Sequence, residues 1–185
     1  PLWLEEDGER VADPHAWQSF ANAKIYVTNI RDALIGVDAA GAETYRANAE
    51  AYLAKLDAFD REIRDMVAKI PADRRKVISS HDAFGYFADA YGIAFVSPQG
   101  VSTETEANAR DVARIITQIR KQGIRAVFVE NVSDPRLMQR IAAESGAKVG
   151  GALYSDTLTD EKGPAPTYID MVRHNIVALS RALAD

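Results

Sequence analysis

Three features of the sequence predict an α/β fold: a four-stranded parallel sheet flanked by helices and preceded by one long helix. The first is an apolar stripe, Tyr45, Ala49, Tyr52, Leu56, Phe59, Ile63, Met66 and Ile70, with spacings that alternate between four and three residues. That spacing keeps one face of a single continuous helix apolar. The second lies beyond Pro71, where short β-prone runs alternate with helical periods four times in series. Strand–helix units in succession imply a parallel sheet covered by helices. The third is a glycine at each of three helix-to-strand junctions, Gly92, Gly123 and Gly146. Glycine there accepts the left-handed conformation that ends a helix.

Taken in order, residues 1–14 read as irregular and charged, ending at Asp13-Pro14, where proline favours extended backbone before it and a helix start after it. A helix is expected from Ala16 to about Val37, with Trp17, Phe20, Ile25, Ile30, Leu34 and Ile35 as candidate buried positions. Gly36 and Gly41 bracket a break before the long helix, whose far face carries Arg46, Glu50, Lys55, Asp57, Asp60, Arg61, Arg64 and Asp65. Strands are then expected over 76–79, 93–97, 125–130 and 148–154. Helices are expected over 82–91, 108–122, 135–145 and 168–184, the third opened by an Asp134 cap and Pro135. Val112, Ile115, Ile116 and Ile119 should face inward on one helix, and Ile169, Val172, Ile176 and Leu179 on another.

Composition narrows the function. An apolar fraction of 47% and a charged fraction of 26% suit a soluble globular domain. No apolar run is long enough to span a bilayer. A net charge of −5 without a basic stripe argues against nucleic acid as a partner. The absence of cysteine removes disulfides, thiolate metal sites and cysteine nucleophiles together. The chain begins at Pro1 rather than Met, so it reads as a processed or excised piece and a missing signal peptide carries no information.

The sequence holds three histidines. His15, in Asp13-Pro14-His15-Ala16-Trp17, and His81, in Ser79-Ser80-His81-Asp82, each stand where an irregular or extended segment meets a helical pattern. Such junctions carry functional side chains on a rigid scaffold. Ligands in open parallel sheets bind beyond the carboxyl ends of the strands, and His81, Glu130 and Asp156 all fall at such ends. Two imidazoles and a carboxylate form a donor set suited to a borderline divalent cation. Glu130 reads as a carboxylate that supports a ligand rather than one that binds metal itself. His174 lies inside the last helix and reads as a packed residue. The loop 156–167, with Gly163, Pro164 and Pro166, either folds over the site or moves freely. There is no nucleophile elbow, P-loop, dinucleotide fingerprint or zinc-protease helix motif, and Ser79 and Ser80 lack a nucleophile turn.

Read as an ordered series, Asp13-Pro14-His15-Ala16-Trp17, Asn22-Ala23-Lys24, the long helix, Ser80-His81-Asp82-Ala83-Phe84-Gly85-Tyr86-Phe87, Val127-Phe128-Val129-Glu130, Tyr154-Ser155-Asp156 and Tyr168-Ile169-Asp170-Met171-Val172-Arg173-His174-Asn175 resemble the metal-binding substrate-binding proteins of ABC importers. This is the zinc and manganese receptor family. The resemblance runs through essentially the whole chain. It implies two α/β lobes joined by a rigid helix, with one metal ion held between them. On that pattern residues 1–42 are the remnant of an N-terminal lobe, 43–71 the joining helix and 72–185 the C-terminal α/β lobe. His15, His81 and Asp156 become the metal ligands, Zn2+ or less readily Mn2+ the captured ion, and a membrane permease the partner. The location is periplasmic or extracytoplasmic.

Two departures accompany the resemblance. The family carries a further lobe upstream with another histidine ligand, which has no counterpart here, so the piece is expected to hold three of four ligands. Glu106-Ala107-Asn108 also stands where the family often has Glu-Pro-Ser. Histidine rather than carboxylate at position 81 points to zinc, because nitrogen donors suit zinc and manganese favours oxygen. Two other readings are a small zinc-dependent α/β hydrolase, with Asp82 or Glu130 as general base, and an adhesion or interaction module. Trp17, Tyr45 and Tyr52 are expected to be exposed and able to drive pairing.

Overall fold

The computed structural model describes residues 1–6, 8–100 and 108–184. Glu106 and Ala107, at the departure from the family pattern, lie outside the described residues. The first segment is more ordered than its charge suggests. Strands β1 (Trp3–Glu6) and β2 (Glu9–Ala12) pair antiparallel, with Gly8 at φ +81° between them. A single 3₁₀ turn (Ala16–Gln18) follows His15, and helix α1 (Phe20–Val37) starts only after Ser19. The long helix α2 runs from Ala42 to Ala68, about 40 Å at 1.5 Å per residue.

Every position of the α2 stripe is buried or half-buried, and Leu56, Phe59, Ile63 and Val67 lie in the core. Tyr45, Tyr52 and Trp17 are half-buried, contrary to the expectation of exposure. Exposed apolar side chains cluster on α1 instead, where Ile25, Ile30 and Leu34 are 55%, 60% and 40% exposed. This helix rests on α2 through its Phe20 end, with the Phe20 and Phe59 ring centroids 5.6 Å apart. A helical period shows that an apolar face exists; it does not show which face meets a neighbour.

Beyond Pro71 come β3 (Lys76–Ile78), α3 (Gly85–Tyr91), β4 (Ala94–Val96), α4 (Ala109–Gln122), β5 (Ala126–Glu130), α5 (Pro135–Ser145), β6 (Lys148–Leu153) and α6 (Tyr168–Ala184). The expected Asp134 cap is present, and Asn108, expected as the first helical residue, is itself a cap. The Asn108 side chain accepts the Asp111 N–H, and Asp134 accepts from Arg136 ahead of Pro135. Gly92, Gly123 and Gly146 end their helices at φ +74°, +64° and +84°. One helix is shorter than expected: residues 82–84 bend instead of coiling, and α3 begins at Gly85.

The four strands lie in the order β4-β3-β5-β6, all parallel. Alternation along each strand divides the core in two. Val77, Ala126 and Phe128 face α2, α3 and α6, whereas Ile78 and Val127 face α4 and α5. The chain leaves β3 for β4 on one side and returns to β5 on the other. That makes the gap between the carboxyl ends of β3 and β5 the point where strand order reverses, and such a crevice is a ligand site in open α/β sheets.

Candidate metal centre

His81 emerges three residues after β3, at the mouth of that crevice. Its segment turns sharply, and Glu130, the last residue of β5, fixes it. Glu130 Oε1 accepts the backbone N–H of Ser80 at 2.7 Å and of His81 at 2.9 Å, while Oε2 stands 2.6 Å from His81 Nδ1. Oε1 is thus committed to the backbone of the Ser80–His81 segment, and Glu130 is 2% exposed. Glu130 stands against the Nδ1 edge of His81, opposite the Nε2 that meets Asp156. Ser79 Oγ donates to the His81 carbonyl and Ser80 is buried, so neither serine is presented as a nucleophile.

Asp156 follows β6 on a segment held from two sides. Asn175 of α6 accepts the Tyr154 N–H and donates to the Tyr154 carbonyl. From the other side, Trp17 Nε1 and Gln18 Nε2 both donate to the Ser155 carbonyl at 3.0 Å. The Tyr168 hydroxyl donates in turn to the Trp17 carbonyl. The 3₁₀ turn that carries His15 thus clasps the strand end that carries Asp156. The loop beyond is tied internally, with Thr159 N–H donating to the Ala165 carbonyl and Ala165 fully buried.

These anchors bring the three residues together. One donor atom from each of His15, His81 and Asp156 lies within 4.8 Å of the other two. His15 Nε2 is 3.5 Å from Asp156 Oδ1, and His81 Nε2 is 3.2 Å from Asp156 Oδ2. The imidazole rings meet edge to face at 5.4 Å. Both histidines are nearly inaccessible, at 4% and 1% exposure, while the Asp156 side chain reaches solvent. His174 stands apart, its Nε2 3.0 Å from the Ala152 carbonyl and its ring against Tyr154. Asp82 does not join the group of three donors.

The electrostatics follow from burial and from the carboxylates. Burial disfavours the His81 imidazolium, yet Asp156 and Glu130 outweigh it and hold His81 up at about 9. Burial also opposes the Asp156 charge, but contact with His81 and the field of both histidines keep its carboxyl below the usual range. Asp82 is raised, first by burial and then by the nearby Asp13 charge. Nitrogen on the buried side and oxygen at the mouth are a donor set of the kind that suits a divalent transition ion.

Sequence reasoning missed Asp13, Gln18 and Asn175. Asp13 is buried, and its Oδ1 lies 2.9 Å from both the backbone nitrogen and Nδ1 of His15. A carboxylate two residues ahead of a candidate ligand was the available signal. Gln18 and Asn175 left none, because their partners are backbone groups more than a hundred and some twenty residues away in sequence.

Known proteins share this sequence pattern and fold. Residues 3–182 match the family described as ZnuA, zinc-uptake complex component A, periplasmic. The iron-binding protein YfeA of Yersinia pestis is 39% identical over 171 residues, covering 92% of this chain and 55% of that protein. The manganese-binding lipoprotein MntA of Halalkalibacterium halodurans is 37% identical over 172 residues, covering 93% and 56%. The periplasmic zinc-binding protein TroA of Treponema pallidum superposes with a TM-score of 0.90 at 31% identity, over 98% of this chain and 67% of that one. The chain thus spans little more than half the length of these curated relatives. With the fold and the match over residues 3–182 in agreement, the chain belongs to the ZnuA family of periplasmic metal-binding proteins.

Proposed function

We propose that His15, His81 and Asp156 bind a divalent transition metal ion, zinc in preference to manganese, and that the protein captures this ion outside the cytoplasm for delivery to an ABC importer permease. The observation that carries the proposal is the convergence of two buried imidazoles and one partly exposed carboxylate within 4.8 Å. Related proteins are named for iron, manganese and zinc, so the choice of metal rests on the donors. Two nitrogens to one oxygen favour zinc, since manganese prefers oxygen-rich sites. A tetrahedral zinc would take its fourth donor from outside these three side chains.

The role is capture rather than turnover. Glu130 is 2% exposed and lies at His81 Nδ1, on the ring edge away from the Nε2 that meets Asp156, which places it poorly to act as the base of a metal-dependent hydrolase. We also read α2 as the helix that joins two lobes, with 1–42 belonging to one and 72–185 forming the other. Among the described residues no helix is long and apolar enough to cross a membrane.

The test is a competition titration of the metal-stripped chain with zinc and with manganese against a chromophoric chelator, beside His81→Ala and Asp156→Ala. The expected result is one zinc per chain, bound more tightly than manganese and lost in both variants. Binding indifferent to both substitutions would refute the site. Tighter binding of manganese would refute the metal preference alone.

A further inference from the structure

We propose that Asp13 is a positioning residue for His15, and that the start of α3, four residues beyond His81, holds Asp13 in place. This rests on the reading of His15 as a metal donor. A carboxylate only accepts hydrogen bonds, so the 2.9 Å contact between Asp13 Oδ1 and His15 Nδ1 places the ring proton on Nδ1. Nε2 is left with its lone pair directed at the cluster, where it stands 3.5 Å from Asp156 Oδ1. The same Oδ1 accepts the His15 backbone N–H at 2.9 Å, fixing ring and backbone from a single atom. Glu130 acts in the same way on His81, through two backbone N–H groups and Nδ1.

Asp13 itself is located by α3 through two routes. Its Oδ2 is buried without a hydrogen-bond partner and packs against Gly85, where a Cβ would stand only 2.8 Å away. Gly85 is therefore the residue that lets Asp13 lie this close. The neighbouring Tyr86 hydroxyl accepts the Leu2 N–H at 2.9 Å, and the Leu2 carbonyl accepts the Asp13 N–H at 3.0 Å. A side chain at position 85 would push Asp13 away from His15 while leaving the His81–Glu130 contacts intact.

The test uses metal-free protein labelled with ¹⁵N at the imidazole nitrogens, together with zinc titration, for the parent and for Asp13→Ala, Asp13→Asn, Gly85→Ala and His15→Ala. In the parent, His15 should show a single tautomer with the proton on Nδ1. Asp13→Ala and Gly85→Ala should both lose that signature and weaken zinc by roughly 10- to 100-fold, the usual effect of removing a ligand's hydrogen-bond partner. Asp13→Asn keeps an acceptor and should retain the tautomer with a smaller loss. A His15 signature unchanged in Asp13→Ala overturns the positioning role. An altered signature with zinc affinity unchanged in both Asp13→Ala and His15→Ala would instead overturn His15 as a donor. If Gly85→Ala alone kept the tautomer, the link to α3 would fall while Asp13 kept its role.

Discussion

Asn175 holds Tyr154 by both backbone groups: its Oδ1 accepts the Tyr154 N–H at 2.9 Å and its Nδ2 donates to the Tyr154 carbonyl at 2.7 Å. Nothing in sheet pairing reaches Tyr154, which lies one residue past β6. The α6 amide takes over where the ladder stops and carries the fixed backbone to within two residues of Asp156. Asn175→Ala would leave two backbone groups without partners, at a cost of about 1–3 kcal/mol. Chemical denaturation should show that loss, and zinc affinity should fall as Asp156 loosens. A stability loss with unaltered affinity would mean that the Trp17 and Gln18 contacts to Ser155 suffice to place Asp156.

Glu130→Gln is a sharper perturbation than its size suggests. The amide keeps one acceptor for the Ser80 and His81 N–H groups, but it sets an NH₂ or a neutral oxygen against His81 Nδ1 in a site closed to water. Zinc affinity is expected to drop by roughly 10- to 100-fold with the secondary structure retained, measured by chelator competition and circular dichroism. An affinity within twofold of the parent would show that the His81 backbone alone sets the ring.

The His81 value of about 9 makes two pH effects run in opposite directions. A histidine raised above its ordinary 6.5 stabilises the metal-free fold fully below pH 6.5. That contribution disappears as pH rises through about 9. Zinc, however, must displace the proton, so its apparent affinity should rise with pH by up to about tenfold per unit across the same window. Calorimetric titration at pH 7 in buffers of different ionisation enthalpy should report close to one proton released per zinc. No proton release would mean that His81 is neutral before metal arrives.

Two apolar positions that look alike in the sequence should behave differently. Ile63 of α2 is fully buried and Ile30 of α1 is 60% exposed. Ile63→Ala should cost about 2–5 kcal/mol through lost burial and the cavity it leaves, whereas Ile30→Ser should stay within about 0.5 kcal/mol. Urea midpoints of the two variants measure the contrast. Comparable losses would show that α1 buries its outer face in solution.

The sequence by itself determined the elements and most of their limits. The α2 stripe, the Asp134 cap and the three left-handed glycines are local signals, written within a few residues of the structure they cause. It also placed His81, Glu130 and Asp156 at strand ends, because hydrophobic runs reveal where strands stop. What the tertiary structure alone decided is which of these groups meet. That β3 lies between β4 and β5, that α1 leaves Ile25 and Ile30 in solvent, and that His15 closes on Asp156 through a turn gripping Ser155 are all outcomes of packing. The hairpin of β1 and β2 was hidden for the same reason, since its strands Trp3-Leu4-Glu5-Glu6 and Glu9-Arg10-Val11-Ala12 carry no alternating pattern and the Leu2 tether to Tyr86 spans 84 residues. A side chain's type is local. Its hydrogen-bond partner, as Asp13, Gln18 and Asn175 show, is chosen by the whole fold.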